Sequence, residues 1–180
     1  FLDCCLRRAG LEPENFIGFI GILAGIGRPD ALEPGLIEPE LGRHLTQKFE
    51  TEADCVRLVD DFAGKAGGID ALGGLSGGIH FSGHWKDMPA DDWEKDMAVN
   101  LNQPFYLARA AMARMKDQGT GGTILLTGTE SALHGGSAQS FPYAVAKRGT
   151  ECMVQGLARE GAPDDILVNG LRFGFIKSGF

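Results

Sequence analysis

The apolar positions of this chain fall into short blocks of two different periods, and the blocks alternate along the sequence. Residues 2–10 (LDCCLRRAG) carry a short helical pattern that stops at Gly10. NFIGFI (15–20) is an apolar run between turn residues, the pattern of a buried strand. It passes directly into Gly21-Ile22-Leu23-Ala24-Gly25-Ile26-Gly27. From 28 to 43, Pro34, Gly35 and Pro39 break any helix after about one turn. Over 51–65 the residues Cys55, Leu58, Val59 and Phe62 recur at helical spacing behind Thr51, a suitable N-cap. Strand patterns follow at 69–75 (IDALGGL), 122–129 (GTILLTGT) and 165–173 (DILVNGLRF), with helical stretches at 90–116 and 142–160 between them. The first stretch is expected to kink or break at Pro104, whereas Pro142 suits the opening turn of the second. Strands alternating with helices of this length predict one α/β domain over 1–180, a doubly wound parallel sheet covered on both faces in three α/β/α layers.

Composition narrows the function classes. The chain has 180 residues, a formal charge of -7 and 43% hydrophobic residues, which describes a folded domain. An acidic balance is unfavourable for nucleic acid or an anionic membrane surface, since both demand a basic face. No apolar run reaches the length of a membrane span, and Asp3, Arg7 and Arg8 interrupt the N-terminal apolar stretch where a secretory leader would need continuity. Cys4, Cys5, Cys55 and Cys152 have no CxxC spacing for zinc, and adjacent Cys4-Cys5 makes a poor disulfide, so reduced thiols and a cytoplasmic setting are expected. The 27 glycines are about twice the usual share and are not periodic, which points to tight turns and close backbone approach.

In open parallel sheets the ligand lies beyond the carboxyl ends of the strands, so chemistry is sought in the residues that follow each one. Tyr143 and Lys147 are four apart, on one face of the helix that begins near Pro142. Tyrosine normally keeps its proton to about pH 10, and an ammonium one turn away would stabilise the phenolate and lower that value. Such a pair exchanges a proton with a carbonyl or alcohol oxygen. Thr127-Gly128-Thr129-Glu130-Ser131 ends a strand shortly before it and offers a hydroxyl to the same oxygen. Asn100, an indifferent helix former, lies mid-way along the long helical stretch, marking its break, holding a water or simply facing solvent. His80 and His84 are four apart but lack a third metal ligand in the pattern. His134 and Glu130 read as loop residues, and Trp85 and Trp93 as packing residues.

The ordered set resembles the short-chain dehydrogenase/reductase family. Its carriers are Gly21-x-x-x-Gly25-x-Gly27, Val99-Asn100-Leu101, Thr129 or Ser131, Tyr143-x-x-x-Lys147, and Val168-Asn169 leading to Phe173-Gly174. The resemblance is dense from about 51 to 178. It implies a Rossmann-like fold and hydride transfer between NAD or NADP and a small alcohol or carbonyl. Tyr143 would be the acid-base, and Lys147 would lower its pKa and hold the cofactor ribose. Asn100 would support a water, and Thr129 or Ser131 would orient the substrate oxygen. Counting forward from the strand favours Thr129, while counting back from Tyr143 lands on Glu130, between the two; Thr129 is preferred. Gly21, Gly25, Ile26, Gly27, Ser76, Gly77 and Gly174 would line the cofactor. A homo-oligomer, dimer or tetramer, is implied, through helices on which Leu107, Ala110, Ala111 and Met115 serve either that contact or the core.

Departures from the family pattern are equally specific. Ile22, Leu23 and Ala24 replace small polar residues in the glycine turn, and 55 residues separate Gly21 from Ser76 where the family needs about 75. On an alternative alignment 2–10 is the family's first helix and 15–23 its second strand. The family's Asn-Asn-Ala-Gly is Gly74-Leu75-Ser76-Gly77, and Phe173 replaces a proline. The acid beside the adenine is absent near His44-Leu45-Thr46, so nothing chooses NAD over NADP. The sequence stops at Phe180, where the family continues into a substrate-covering loop, leaving strand 165–173 as an expected apolar edge. A relative that has lost its cofactor and serves as a binding or scaffold protein is therefore the alternative expectation, and a sugar-nucleotide epimerase or dehydratase a more distant one.

Overall fold

The computed structural model describes residues 20–23, 51–137 and 140–174; the predicted helix at 2–10, the proline-rich stretch and Gly25, Ile26 and Gly27 lie outside them. The described order is β1 (Ile20–Leu23), α1 (Glu52–Ala66), β2 (Ala71–Gly74), α2 (Ala90–Met97), α3 (Gln103–Gln118), β3 (Gly122–Thr129), α4 (Phe141–Gly161) and β4 (Ile166–Phe173). One sheet runs β1-β2-β3-β4. Its last three strands are parallel, as the alternation predicted, and the fold is a Rossmann-like α/β fold. β1 is the exception. It runs antiparallel to β2, with Gly21 opposite Gly73, so Gly21 is a ladder residue and not part of a loop beyond a parallel strand. The expected placement of Gly21 in a cofactor turn is thereby corrected; of the apolar run at 15–20, only Ile20 is among the described residues, and it is in the strand.

Local signals set the helix limits. Thr51 closes a capping box with Asp54 at the start of α1, and Gly67 ends it in the left-handed conformation that glycine adopts without strain. The Gln118 side chain brackets Ile69, accepting from its N–H at 2.8 Å and donating to its carbonyl at 2.9 Å, which fixes the entry to β2. On the sheet, Leu72, Ile124 and Val168 lie in register across three strands and pack with Leu107, Ala111 and Met115 of α3. Ala110 joins the same core. These α3 residues are therefore core, and the association role left open for them is excluded by burial.

The long helix breaks at Asn100, one of the readings offered for that residue, and not at Pro104. The backbone widens into a π turn over Ala98–Asn102, where the Gln103 N–H reaches back five residues to the Ala98 carbonyl. Pro104, buried in the first turn of α3, interrupts nothing there. Its missing N–H nevertheless has a consequence, because it cannot serve the Asn100 carbonyl four residues earlier. That carbonyl instead accepts the Thr150 hydroxyl of α4 at 2.8 Å. Thr150→Val keeps the shape of this buried contact and removes its donor. We expect a loss of about 1–3 kcal/mol in urea unfolding; a change below about 0.5 kcal/mol would show that the carbonyl finds another donor.

The alternate sheet positions have less cover. Leu125 is half-buried, while Leu167 is 63% exposed and Leu171 and Phe173 are also exposed. β4 ends the order of described strands, so this apolar strand is an edge there, as expected from sequence.

Candidate active site

The carboxyl ends of β2 and β3 and the N-terminal half of α4 converge, and the predicted residues gather where they meet. α4 starts at Phe141 with Pro142 in its first turn, which brings Tyr143 and Lys147 to the sheet side one turn apart. Lys147 is almost wholly buried. Its Nζ donates to the Ser76 carbonyl at 2.8 Å and the Thr127 carbonyl at 3.1 Å, tying α4 to the ends of both strands. Burial lowers its pKa to about 8.

Burial raises the Tyr143 pKa above the usual tyrosine value, and the nearby Thr129 hydroxyl opposes that rise only in part. Here the expectation is corrected. The lysine ammonium lies 5.9 Å from the centre of the Tyr143 ring and faces the strand carbonyls, so desolvation outweighs any phenolate stabilisation in this state. Tyr143 is consequently a protonated phenol at neutral pH. Of the two candidate hydroxyls, Thr129 is the one near enough to act on Tyr143. Ser131 lies in the short helical turn Glu130–Leu133, where its N–H takes the Thr129 hydroxyl as a cap.

Asn100 is fully buried, and the solvent-facing alternative falls away. Its amide pairs with the Gly78 backbone, donating to the carbonyl at 2.8 Å and accepting from the N–H at 3.0 Å. Gly77 is wedged between the two functional side chains. A Cβ there would stand 2.8 Å from Lys147 Nζ and 2.9 Å from Asn100 Oδ1, closer than real side chains approach. A Cβ at the neighbouring Gly74 would meet Leu126 Cδ2 at 2.7 Å, so a side chain there requires Leu126 to shift. Ser76 presents its carbonyl to Lys147, while its own buried hydroxyl has no partner among the described residues. Gly174 follows the end of β4 and borders Glu130, beside the Thr129 end of β3.

The structure thus unites Asn100, Thr129, Tyr143, Lys147, Ser76 and Gly77, sets Gly174 and Ser131 at the margin, and places Gly21 in the sheet. Three contributors were not anticipated as site residues: Gly78, Asp96 and Thr150. Asp96 and Asn100 are four apart on the core face of a helical run, and a buried acid interrupting an apolar stripe was the available signal. His80 turns to Asp96 at 3.2 Å, and His84 caps the short helix at Trp85–Asp87. His134 is exposed, as expected of a loop residue. Trp93 packs on Phe141 with ring centres 6.1 Å apart, but Trp85 is 70% exposed and packs far less than expected. Among the described residues, no helix is long and apolar enough to cross a membrane.

The chain is similar to several known dehydrogenases and reductases. A family model described as enoyl-(acyl carrier protein) reductase matches residues 42–180. A D-beta-hydroxybutyrate dehydrogenase of Rhizobium meliloti is 30% identical over 166 residues, 86% of this chain and 61% of that protein. An L-rhamnose 1-dehydrogenase (NAD(P)(+)) of Azotobacter vinelandii is 34% identical over 112 residues, 62% of this chain and 43% of that protein. The chain therefore spans about half the length of these curated relatives. Among solved structures, a short-chain type dehydrogenase/reductase from Mycobacterium marinum superposes with a TM-score of 0.67 at 29% identity, covering 71% of this chain and 50% of that one. An NAD+-bound xylitol dehydrogenase superposes at 0.68 with 24% identity, over 72% of this chain and 49% of that one, which is a likeness of fold.

Proposed function

Because the chain belongs to the short-chain dehydrogenase/reductase family, we propose that it interconverts a small alcohol and a carbonyl, with NAD or NADP as partner and Tyr143 as the acid-base. The observation that carries this reading is the Tyr143 phenol, near the Thr129 hydroxyl at the carboxyl end of β3 and one helical turn from the buried Lys147. The residues present suit a dinucleotide. The missing side chain at Gly77 lets Lys147 Nζ and Asn100 Oδ1 pack against its backbone, and the Ser76 hydroxyl beside them, without a partner among the described residues, is a donor and acceptor available to the cofactor. A bound nicotinamide would supply the hydride donor or acceptor.

The chain's own part is to hold and move a proton. In reduction, the neutral Tyr143 Oη gives its proton to the oxygen of the substrate carbonyl as that oxygen gains charge; in oxidation the phenolate takes the proton of the alcohol. Thr129 orients the reacting oxygen through its hydroxyl. Lys147 holds the ribose and supports the phenolate once its Nζ turns toward Tyr143, and Asn100 keeps the loop at 77–78 in place for both. Gly174 borders the cofactor from the β4 side, and Gly25, Ile26 and Gly27, outside the described residues, keep the cofactor-binding role that the resemblance implies. Self-association of the full-length protein belongs to the same reading, with a cytoplasmic location.

One observation favours a second reading, that of a binding or scaffold protein without the cofactor: β1 pairs antiparallel, unlike a strand that delivers a glycine turn. Titration with NADH and NADPH, read by thermal shift, separates the two. The oxidoreductase reading expects at least one nucleotide at 100 times its Kd to add about 3 kcal/mol of stability. It also expects turnover in a panel of secondary alcohols that includes D-3-hydroxybutyrate and L-rhamnose. No shift with either nucleotide favours the scaffold.

A further inference from the structure

Asp96 is a fully buried carboxylate that the proton chemistry does not use. It lies on α2, one turn before Asn100, and its acceptors are all occupied from two directions. Oδ1 accepts the His80 backbone N–H at 3.0 Å, stands 3.2 Å from His80 Nδ1, and accepts a longer contact from Asn100 Nδ2 at 3.4 Å. The shorter bonds of that amide go to the Gly78 carbonyl at 2.8 Å and the Asp96 backbone carbonyl at 2.9 Å. Oδ2 accepts the Phe81 N–H at 3.4 Å. Among the described residues its only partner within ion-pair distance is His80, so backbone and amide donors supply most of its solvation.

A carboxylate away from water is tolerated only while its donors stay in place. Any drift of the 80–81 backbone, or of the Asn100 amide, leaves charge under-solvated, and so the carboxylate holds both in one arrangement. That arrangement reaches the site directly. Asn100 is paired to Gly78, Gly77 lies against Asn100 and Lys147, and the Ser76 carbonyl holds Lys147 Nζ.

We infer that Asp96 is a positioning residue: it fixes the Asn100 amide and the segment from Ser76 to Phe81 for catalysis without touching the substrate or the dinucleotide. The inference rests on the proposed oxidoreductase reading for its effect on turnover, and on the contacts alone for its effect on Asn100.

Three variants test it, assayed with the best alcohol of the panel. Asp96→Ala should lower kcat by about ten- to a hundredfold, the usual consequence of a misplaced catalytic group. Asp96→Asn keeps the Oδ1 acceptor and should stay within about threefold of wild type. Asn100→Ala should lower kcat too, and the double variant Asp96→Ala/Asn100→Ala should fall by much less than the product of the single losses. A merely structural role would instead give multiplicative losses. In parallel, hydrogen exchange of the Asn100 side-chain amide, followed by NMR, should quicken at least about tenfold in Asp96→Ala and not in Asp96→Asn. Should Asp96→Ala fail to fold, Asp96→Thr fills the space while removing the carboxylate acceptors, and the same criteria apply. Multiplicative losses, wild-type kcat in Asp96→Ala, or unchanged amide exchange would each overturn the inference. Wild-type protein without turnover would overturn the oxidoreductase reading, and the exchange measurement would still decide this one.

Discussion

Replacing Tyr143 by Phe is expected to lower kcat/KM by about a thousandfold, within the range that a positioned acid-base contributes. The change removes one oxygen and little else. The ring of Tyr143 stays, and the loss of its hydroxyl beside Thr129 costs about 1 kcal/mol of stability at most. Thermal unfolding should therefore move by only a few degrees, and NADH or NADPH should still bind. Rate and stability measured on one preparation separate loss of chemistry from loss of fold. Activity within tenfold of wild type would sink the role given to Tyr143. In the active protein the pH profile carries a further mark, because burial raises the Tyr143 pKa. Without bound nucleotide the group stays protonated past the usual tyrosine range, which suits proton donation.

The second large effect concerns Lys147. Its folded-state pKa of about 8 lies below the value near 10.4 expected of an unfolded lysine. Below pH 8 both states carry the proton, and the folded state bears the desolvation in full. Between pH 8 and about 10.4 the unfolded chain binds more protons than the folded one, so this group adds stability as pH rises. Lys147→Met removes that slope. From pH 7.5 to 10.5, wild type should gain about 3 kcal/mol in urea unfolding relative to the variant. The comparison has to be between the two proteins, because Cys55, raised to about 11 by burial, and Tyr143 both pull the other way at high pH. Parallel curves would mean that the ammonium is solvated in the folded state. Turnover in Lys147→Met should be lost along with the support it gives Tyr143.

Much of the fold could be read in the sequence because periodicity and caps agree there. GTILLTGT, TEADCVRLVDDFAGK and the Pro142 helix stand within a residue or two of their predicted limits. The break was legible at Asn100 as a weak helix former, while Pro104, the other candidate, sits in the first turn of α3 and breaks nothing. The wide turn is instead supported by a hydroxyl from another helix, a contact of 50 residues' separation that no local pattern contains. The site was legible as a set of residue types, Tyr143, Lys147, Asn100 and Thr129, since each lies on or beside a predictable element. What was not legible was direction. Spacing puts Lys147 on the face of Tyr143, but only tertiary packing offers the carbonyls of Ser76 and Thr127 toward which its Nζ turns. Asp96 was overlooked for the same reason, as its donors come from a loop 15 and 16 residues upstream.

The open side of β4 has a practical consequence for all of these measurements. Its row of backbone groups, flanked by exposed Leu167, Leu171 and Phe173, is a template onto which another extended chain can add. Self-templated assembly rises steeply with protein concentration and begins from the native surface, so it needs no prior unfolding. Light scattering recorded through each titration would reveal it, and a charged residue at Leu167 would blunt the edge far from Tyr143. Solubility of this chain should thus depend on one strand more than on its net charge.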